Sequence, residues 1–542
     1  MRPSVVLLAA GAFVLAAAGC RSSVVSIPVL LDESERSPRE SRIAEALREA
    51  YDARYDEALR SIDAIAAEDP DDPDADLARA HVHLLRALLS GDASGDDSNT
   101  RALAAAAEAA LLKAERRLDR DGSDRKALRD RGYARSYAAR AQFLSGNSIR
   151  AVFGSQGGAA DLAASLRGAP DADADPFLFI GFFHYMAGLA PPIVRAVSSL
   201  LNVTGDCDLG RAEIEHAARH GFLYRDEAAL TLAFIGLLDR EADYERSLDL
   251  LSDLVARYPM NAGFALVLHL AQRRAEDYEG AEATLRSLLA RDPETLEPSI
   301  VLGTRVLLAA LVAEKNRLGE AEETLESILA LEGKAADRVR GRAALALGLV
   351  AERRGDRARA VALYEEARDG IESAFQWDRD DLRREVEWRR KAPISRDEIE
   401  LRFVAGEERR GDAESTLAAA AAMRARLAEE GRLGGESDGE LFFREARAAL
   451  ALGDVAAADL SFRAAAACEG AAARVRGAAR YDLGRLLLSQ GRPELGRAEL
   501  ASLVDAPLRD ADVRSRSRAR NLLLLSSSAE VLAAPAEFEG SR

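Results

Sequence analysis

Two neighbouring stretches of the chain carry the same spacing of small, apolar and helix-ending residues. The first runs Asp243-Tyr244-Glu245-Arg246-Ser247, then Leu251, Leu254 and Pro259. The second runs Asp277-Tyr278-Glu279-Gly280-Ala281, then Leu285, Leu288 and Pro293. Ser247 to Ala281 is 34 residues, and so is Pro259 to Pro293. Positions 0, +4 and +7 lie on one face of an α-helix. The spacing therefore predicts a helix that comes close to its predecessor at the small residue, buries the two apolar positions, and stops at the proline. Tyr51 to Pro70 repeats the theme through Ala58, Ile62, Ile65 and Pro70. Looser copies follow at Gly319-Glu320-Ala321, Gly355 to Ala360, Gly411 to Thr416, Gly453 to Ala458 and Gly491 to Gly496. A repeat of this length predicts an array in which each helix pair buries its apolar stripe against the next.

Composition narrows this to helices. Ala, Leu, Arg and Glu, all strong helix formers, dominate, while aromatics are 5% and β-branched runs are scarce, so large sheets are not expected. At 542 residues the chain exceeds one compact core, and its 48% hydrophobic content excludes general disorder. The net charge of -17 argues against a nucleic-acid partner, which would require a broad basic face. Arginine carries almost all the positive charge, with lysine only at Lys113, Lys126, Lys315, Lys334 and Lys391. Polar breaks at 91–100, 171–175 and 431–439 read as loops or joints, and the glycine-rich stretch 146–168 as a loop or a frayed helical connection.

Residues 1–20 read MRPSVVLLAAGAFVLAAAGC. Arg2 precedes an apolar run from Val5 to Ala18 that is short for a bilayer span and has the layout of a secretory signal. Its end, Ala17-Ala18-Gly19-Cys20, resembles the lipobox of bacterial lipoproteins, with Ala17 where that family favours Leu. The resemblance implies cleavage before Cys20 and diacylglycerol on its sulfur. Each buried methylene contributes about 0.8 kcal/mol, so two or three acyl chains would hold the protein firmly. Arg21 stands where an Asp would imply inner-membrane retention, so an outer-membrane address facing the periplasm is expected. Cys207 and Cys468 are far apart in the repeat array, and a disulfide between them is not expected.

The 34-residue period, the small residue opening the second helix and the closing proline resemble the tetratricopeptide repeat, over most of residues 41–510. The resemblance implies an all-α fold, an α-α superhelical solenoid of helix pairs that binds protein segments on its concave face. The expected organisation is a signal peptide (1–19), a tether (20–40), an N-terminal helical region (41–170), an inserted aromatic and amphipathic segment (171–227), a central solenoid (228–430), C-terminal repeat-like helices (440–525) and a disordered tail (526–542). Aligning the units places Arg240, Arg273, Arg274, Arg342 and Arg353 near inward positions. Such a row suits carboxylates or acidic peptides, or else forms ordinary inter-helix ion pairs, with Asp239 and Glu352 as neutralising partners.

Candidate chemistry is sparse. His216 and His220 stand four apart on a helix, a spacing that can grip a metal. However, Ala217 occupies the place of the metalloprotease Glu, and no third ligand is evident, so no metal is expected. His81 and His83 point to different sides of a helix. There is no G-x-S-x-G, no phosphate loop and no Cys-x-x-Cys, and neither catalysis nor a cofactor is expected. The densest aromatic segment holds Phe177, Phe179, Phe182, Phe183 and Tyr185, followed by Pro191-Pro192 and an amphipathic stretch through Val197. It forms either a core hairpin or an apolar pocket lined by Phe179, Phe183 and Val197. Trp377 and Trp388, eleven apart, read as one core-facing stripe.

Two functions follow. One is a lipid-anchored envelope scaffold for a protein or peptide partner, tied to the membrane through Cys20. The alternative is a small-molecule or lipid-binding accessory of an envelope transport system, with the aromatic segment as its pocket.

Overall fold

The structure is a computed structural model and describes residues 37–89, 98–167, 173–189, 205–292, 295–371 and 376–526. Among the described residues there are 24 helices and no strand. In chain order they are α1 (Pro38–Tyr51), α2 (Tyr55–Glu68), α3 (Asp74–Leu89), α4 (Ser98–Arg120), α5 (Arg125–Leu144), α6 (Ser148–Leu166), α7 (Pro176–Gly188), α8 (Cys207–His220), α9 (Arg225–Gly236), α10 (Tyr244–Arg257), α11 (Ala262–Ala275) and α12 (Tyr278–Leu289). There follow α13 (Pro298–Glu314), α14 (Leu318–Leu329), α15 (Lys334–Arg353), α16 (Arg357–Asp369), α17 (Gln376–Lys391), α18 (Arg396–Arg409), α19 (Ala413–Glu429), α20 (Glu436–Ala451), α21 (Val455–Ala467), α22 (Ala473–Ser489), α23 (Pro493–Val504) and α24 (Val513–Ser526).

Apart from α17 and α18, each helix packs on the next in sequence, and alternate helices also touch along α1–α3–α5–α7, α13–α15–α17 and α18–α20–α22–α24. That double contact makes an inner layer of A helices and an outer layer of B helices: a solenoid of tetratricopeptide-like pairs, as the period predicts. The B helices bury the same three offsets throughout. They are Ala58, Ile62 and Ile65 in α2, Ser247, Leu251 and Leu254 in α10, Ala281, Leu285 and Leu288 in α12, and Ala321, Leu325 and Ile328 in α14. The small residue lets the two backbones meet, and Ser247 Oγ donates to the Ala233 carbonyl of the paired A helix at 3.0 Å.

The turn between A and B helices recurs as well. A residue with positive φ is followed by a helix-starting residue, usually Asp: Asp356, Asp412 and Asp454 accept from the amides of Arg359, Ser415 and Ala457 at 3.0, 2.9 and 3.0 Å. The positive-φ residue is glycine at Gly355, Gly411, Gly453 and Gly491, but Ala53, Ala242, Glu276 and Asn316 take the same place with a side chain. Each of these four accepts a backbone penalty of roughly 1 kcal/mol.

Two expectations change. Residues 148–166, read as a glycine-rich break, form helix α6. Its glycines serve packing, since a Cβ on Gly158 would sit 2.4 Å from Ser136 Oγ on α5 and 2.9 Å from the Gly132 carbonyl. The described part of the segment expected as an insertion forms one more helix pair. There α7 meets α8 where Gly181 and Gly210 face each other, with a Cβ on Gly181 only 2.6 Å from the Gly210 carbonyl. Cys20, Pro191, Pro192, Val197 and the tail lie outside the described residues.

Candidate functional site

Helices α9, α11, α13, α15, α18, α20, α22 and α24 bring polar side chains from distant units to the inner side of the superhelix. Arg273, in the last turn of α11, reaches Glu314 at the end of α13 at 2.6 Å, and Arg409 of α18 approaches the same carboxylate at 3.7 Å. Burial pushes the Glu314 carboxyl up, but Arg273 and Arg409 outweigh it and hold the group below its usual value. Arg353, at the end of α15, donates to the Ala313 carbonyl at 2.5 Å and to Asn316 Oδ1. Burial, then Arg402 and Arg409, push the Arg353 guanidinium down to about 10. Asn316 in turn donates to the Phe403 carbonyl at 2.7 Å and to Glu407 at 2.6 Å, tying the α13–α14 turn to α18.

The five arginines predicted to line the groove thus divide. Arg273 and Arg353 come together around Glu314. Arg274 pairs at 2.7 Å with Asp239, one of the two carboxylates expected near the row. Arg240 is half-exposed beside Glu241 at 3.5 Å, and Arg342 is half-buried within α15. Glu352, the other expected neutraliser, instead holds Arg357 and accepts from Tyr364 Oη at 2.8 Å. Further along, Glu276 meets Arg447 of α20, Arg447 meets Glu408 at 2.8 Å, and Glu408 also meets Arg444 at 2.5 Å, an alternating column of charge. Sequence reasoning missed Glu314, Arg409, Arg444 and Arg447. Their only local sign is that each stands in the last turns of an A helix.

A second cluster fills the N-terminal units. His81 of α3 is fully buried, with Nε2 2.9 Å from Tyr51 Oη, and Nδ1 3.0 Å from Tyr137 Oη and 3.2 Å from Glu227 Oε2. Arg140 of α5 pairs with Glu227, and its guanidinium lies 4.7 Å from the Phe179 ring centroid. Burial alone would raise the Glu227 carboxyl, but Arg140 and His81 hold it at about 2. The rings of Tyr133, Tyr137 and Tyr224 meet Phe179 edge-on at 5.1, 5.6 and 5.4 Å. Phe179 and Phe183, expected as candidates for an apolar pocket, are each 5% exposed, and Phe179 is core ringed by tyrosines and covered by Arg140. The physical reason is enclosure: three tyrosine rings and the Arg140 guanidinium occupy the space around Phe179 that a ligand would need.

The remaining candidates are structural in their surroundings. His216 rests edge-on against Phe177 at 5.0 Å and lies 5.0 Å from the His220 ring; burial, then His220, lowers its imidazole pKa. Among the described residues no three His, Cys, Asp or Glu side chains form a group that could hold a metal ion. Cys207 and Cys468 are both free thiols. Trp388, read as core, is 50% exposed with the Arg389 guanidinium 3.9 Å from its ring centroid, because α17 turns that face outward. No helix among the described residues is long and apolar enough to cross a membrane.

No family model matches the chain, and no curated protein matches it. Among solved structures it is similar to a tetratricopeptide repeat protein from Parabacteroides merdae ATCC 43184, at 14% identity over 56% of this chain and 99% of that one, with a TM-score of 0.21. It is also similar to the apo form of the quorum sensor NprR from B. thuringiensis, at 14% identity over 70% and 98%, with a TM-score of 0.30. A third similarity is to yeast Tom70, at 12% identity over 91% and 99%, with a TM-score of 0.22. The assignment of tetratricopeptide-like pairs rests on the repeated B-helix face and the A–B turn described above.

Proposed function

We propose that this chain is a protein-interaction scaffold of the cell envelope, anchored through a lipid on Cys20 at the outer membrane and facing the periplasm. Its inner face would engage an acidic segment of a protein partner, with no catalytic step of its own. The observation that carries the partner's chemistry is the surplus of guanidinium around Glu314. That one carboxylate serves both Arg273 and Arg409, while Arg353 is held by neutral oxygens and has no carboxylate within ion-pair distance among the described residues. Guanidinium forks held in place beforehand lose little freedom on meeting a carboxylate, so ordering costs stay low.

The test is fluorescence anisotropy of a labelled peptide of glutamates and aspartates against the full chain. Changing Arg353 and Arg409 together to Gln should weaken binding about tenfold, the loss of one charged hydrogen-bonded contact. Equal binding by both proteins would remove the acidic partner. Metabolic labelling with a palmitate analogue reads the anchor separately: the label is expected in the wild type and absent from Cys20→Ser.

A further inference from the structure

The last described helix, α24, reads VRSRSRARNLLLLS, with four arginines and no acidic residue. Its two sides do different things. Ala519 is buried, and Leu522 and Leu523 pack beside it against the apolar cluster of Leu500 and Leu503, which seats the helix on its own end of the solenoid. The residues at 514, 517, 518 and 521 fall on one helical face. Those residues reach across the superhelix to the units around residues 237–276.

They make hydrogen bonds, an ion pair and cation–π contacts there. Ser517 Oγ donates to the Arg240 carbonyl, and Asn521 Nδ2 donates to the Glu241 carbonyl at 2.8 Å. Arg514 donates to the Arg274 carbonyl at 2.7 Å and lies 3.6 Å from Glu276. The guanidinium groups of Arg514 and Arg518 sit 5.1 and 5.7 Å from the Tyr244 ring centroid. The receiving rim is built for cations. The Arg274 carbonyl belongs to the last turn of α11, where the helix leaves carbonyls without intrahelical donors and carries the negative end of its dipole. Carboxylate is added by Glu276, which caps α11 with φ of 69°. The equivalent residue is glycine in four later units, so a strained backbone position is kept here by a residue whose side chain holds Arg447 and approaches Arg514. The apolar residues on the two sides of this junction belong to separate clusters.

We propose that this rim, made of the carbonyls of Arg240, Glu241 and Arg274 with the Glu276 carboxylate, is a recognition surface for an arginine-bearing helix, and that α24 occupies it in cis as a detachable clasp. The superhelix is then closed by a polar contact laid over units that are each stable by their own apolar packing. Opening it separates no apolar cluster, although it uncovers the Tyr244 ring beneath the two guanidinium groups. A basic helix of another protein, presenting arginines at i and i+4 with neutral donors at i+3 and i+7, is the ligand that competes for the rim. This inference does not depend on the envelope address or on the acidic partner, whose surplus arginines lie around Glu314.

The experiment uses the full chain and a fluorescent synthetic peptide of residues 511–526. In one variant the clasp face is disabled by Arg514→Glu, Ser517→Ala and Asn521→Ala, leaving the apolar side of α24 intact. That variant is expected to bind the peptide at least tenfold more tightly than wild type, whose rim is already filled. Adding Glu276→Arg should abolish the gain. Small-angle X-ray scattering on the same proteins should show a larger radius of gyration for the disabled variant. A second variant, Arg514→Lys, which keeps a donor for the Arg274 carbonyl and a cation beside Glu276, should keep wild-type dimensions. Peptide binding that is absent from both proteins, equal in both, or indifferent to Glu276→Arg would overturn the recognition surface. Unchanged dimensions in the disabled variant would overturn the clasp.

Discussion

The N-terminal and C-terminal halves of this solenoid use the same helix pair but are held together differently. From Ile43 to Ala271 the buried side chains form one continuous apolar cluster. Beyond it the core breaks into successive clusters, at 306–386, 443–487 and 481–519 among others, each spanning a few helices. Large rings make the difference. Tyr51, Tyr133, Tyr137, Phe179, Tyr224 and Tyr258 reach past their nearest neighbours, and His81 links three helices that are remote in sequence. The later units bury many alanines, such as Ala420, Ala446, Ala458 and Ala465, and rings that meet locally, as Phe443 meets Phe462 of the next helix. Their lateral ties are ion pairs instead. The comparison teaches that one repeat geometry can yield a fused block or a chain of nearly independent units, depending on side-chain reach.

The largest expected effect comes from Glu227→Ala. It leaves Arg140 and His81 buried without their shared carboxylate, and should cost about 3–5 kcal/mol. Urea unfolding followed by tyrosine fluorescence would show the whole N-terminal half weakened together. Phe462→Ala in α21 should cost about 3 kcal/mol, but hydrogen exchange should quicken only at 443–487. Faster exchange at 37–271 in that variant would abolish the distinction between the halves. A smaller effect sits at the seam. His269 on α11 is 2% exposed and lies 3.2 Å from the Ala281 carbonyl, and burial, then Arg273, lowers its pKa to about 4. The folded protein therefore prefers the neutral ring while the unfolded chain takes up a proton first. Stability present above pH 6.5 should be lost as pH falls toward 4, on the order of 2–3 kcal/mol in this window. His269→Gln should flatten that part of the thermal-stability profile. The smallest effect is Gly411→Ala, which places a Cβ at φ of 77° and should cost about 1 kcal/mol, read by differential scanning calorimetry as a shift of the C-terminal transition alone.

The repeat was legible because the B-helix offsets are local: Ser247, Leu251 and Leu254 announce a buried face without any partner being known. The same reasoning misread 148–166, because a glycine that permits a loop and a glycine that permits close packing look alike in sequence. Asp239 was legible as a neutralising carboxylate beside the arginine row, but not as the partner of Arg274 in particular. Glu314 could not be assigned to Arg273 and Arg409, since the curvature that brings α11, α13 and α18 together accumulates over several units. The cluster at His81 was hidden for a similar reason. Its partners Tyr51, Tyr137 and Glu227 come from three helices remote in sequence and follow no common spacing. Ala53, Ala242, Glu276 and Asn316 also carry no sign in sequence that they adopt the conformation glycine holds elsewhere.

The near-absence of lysine gives the charge column a chemical signature. Reagents that acylate amines meet five side chains in 542 residues, and one of those, Lys315, is buried against Glu282 at 2.9 Å. Amine cross-linking would return an almost blank map of this molecule. Dicarbonyl reagents selective for guanidinium would instead label the whole surface, exposed Arg60, Arg219 and Arg509 first, and how far Arg240, Arg353 and Arg447 lag behind would report how open the superhelix axis is.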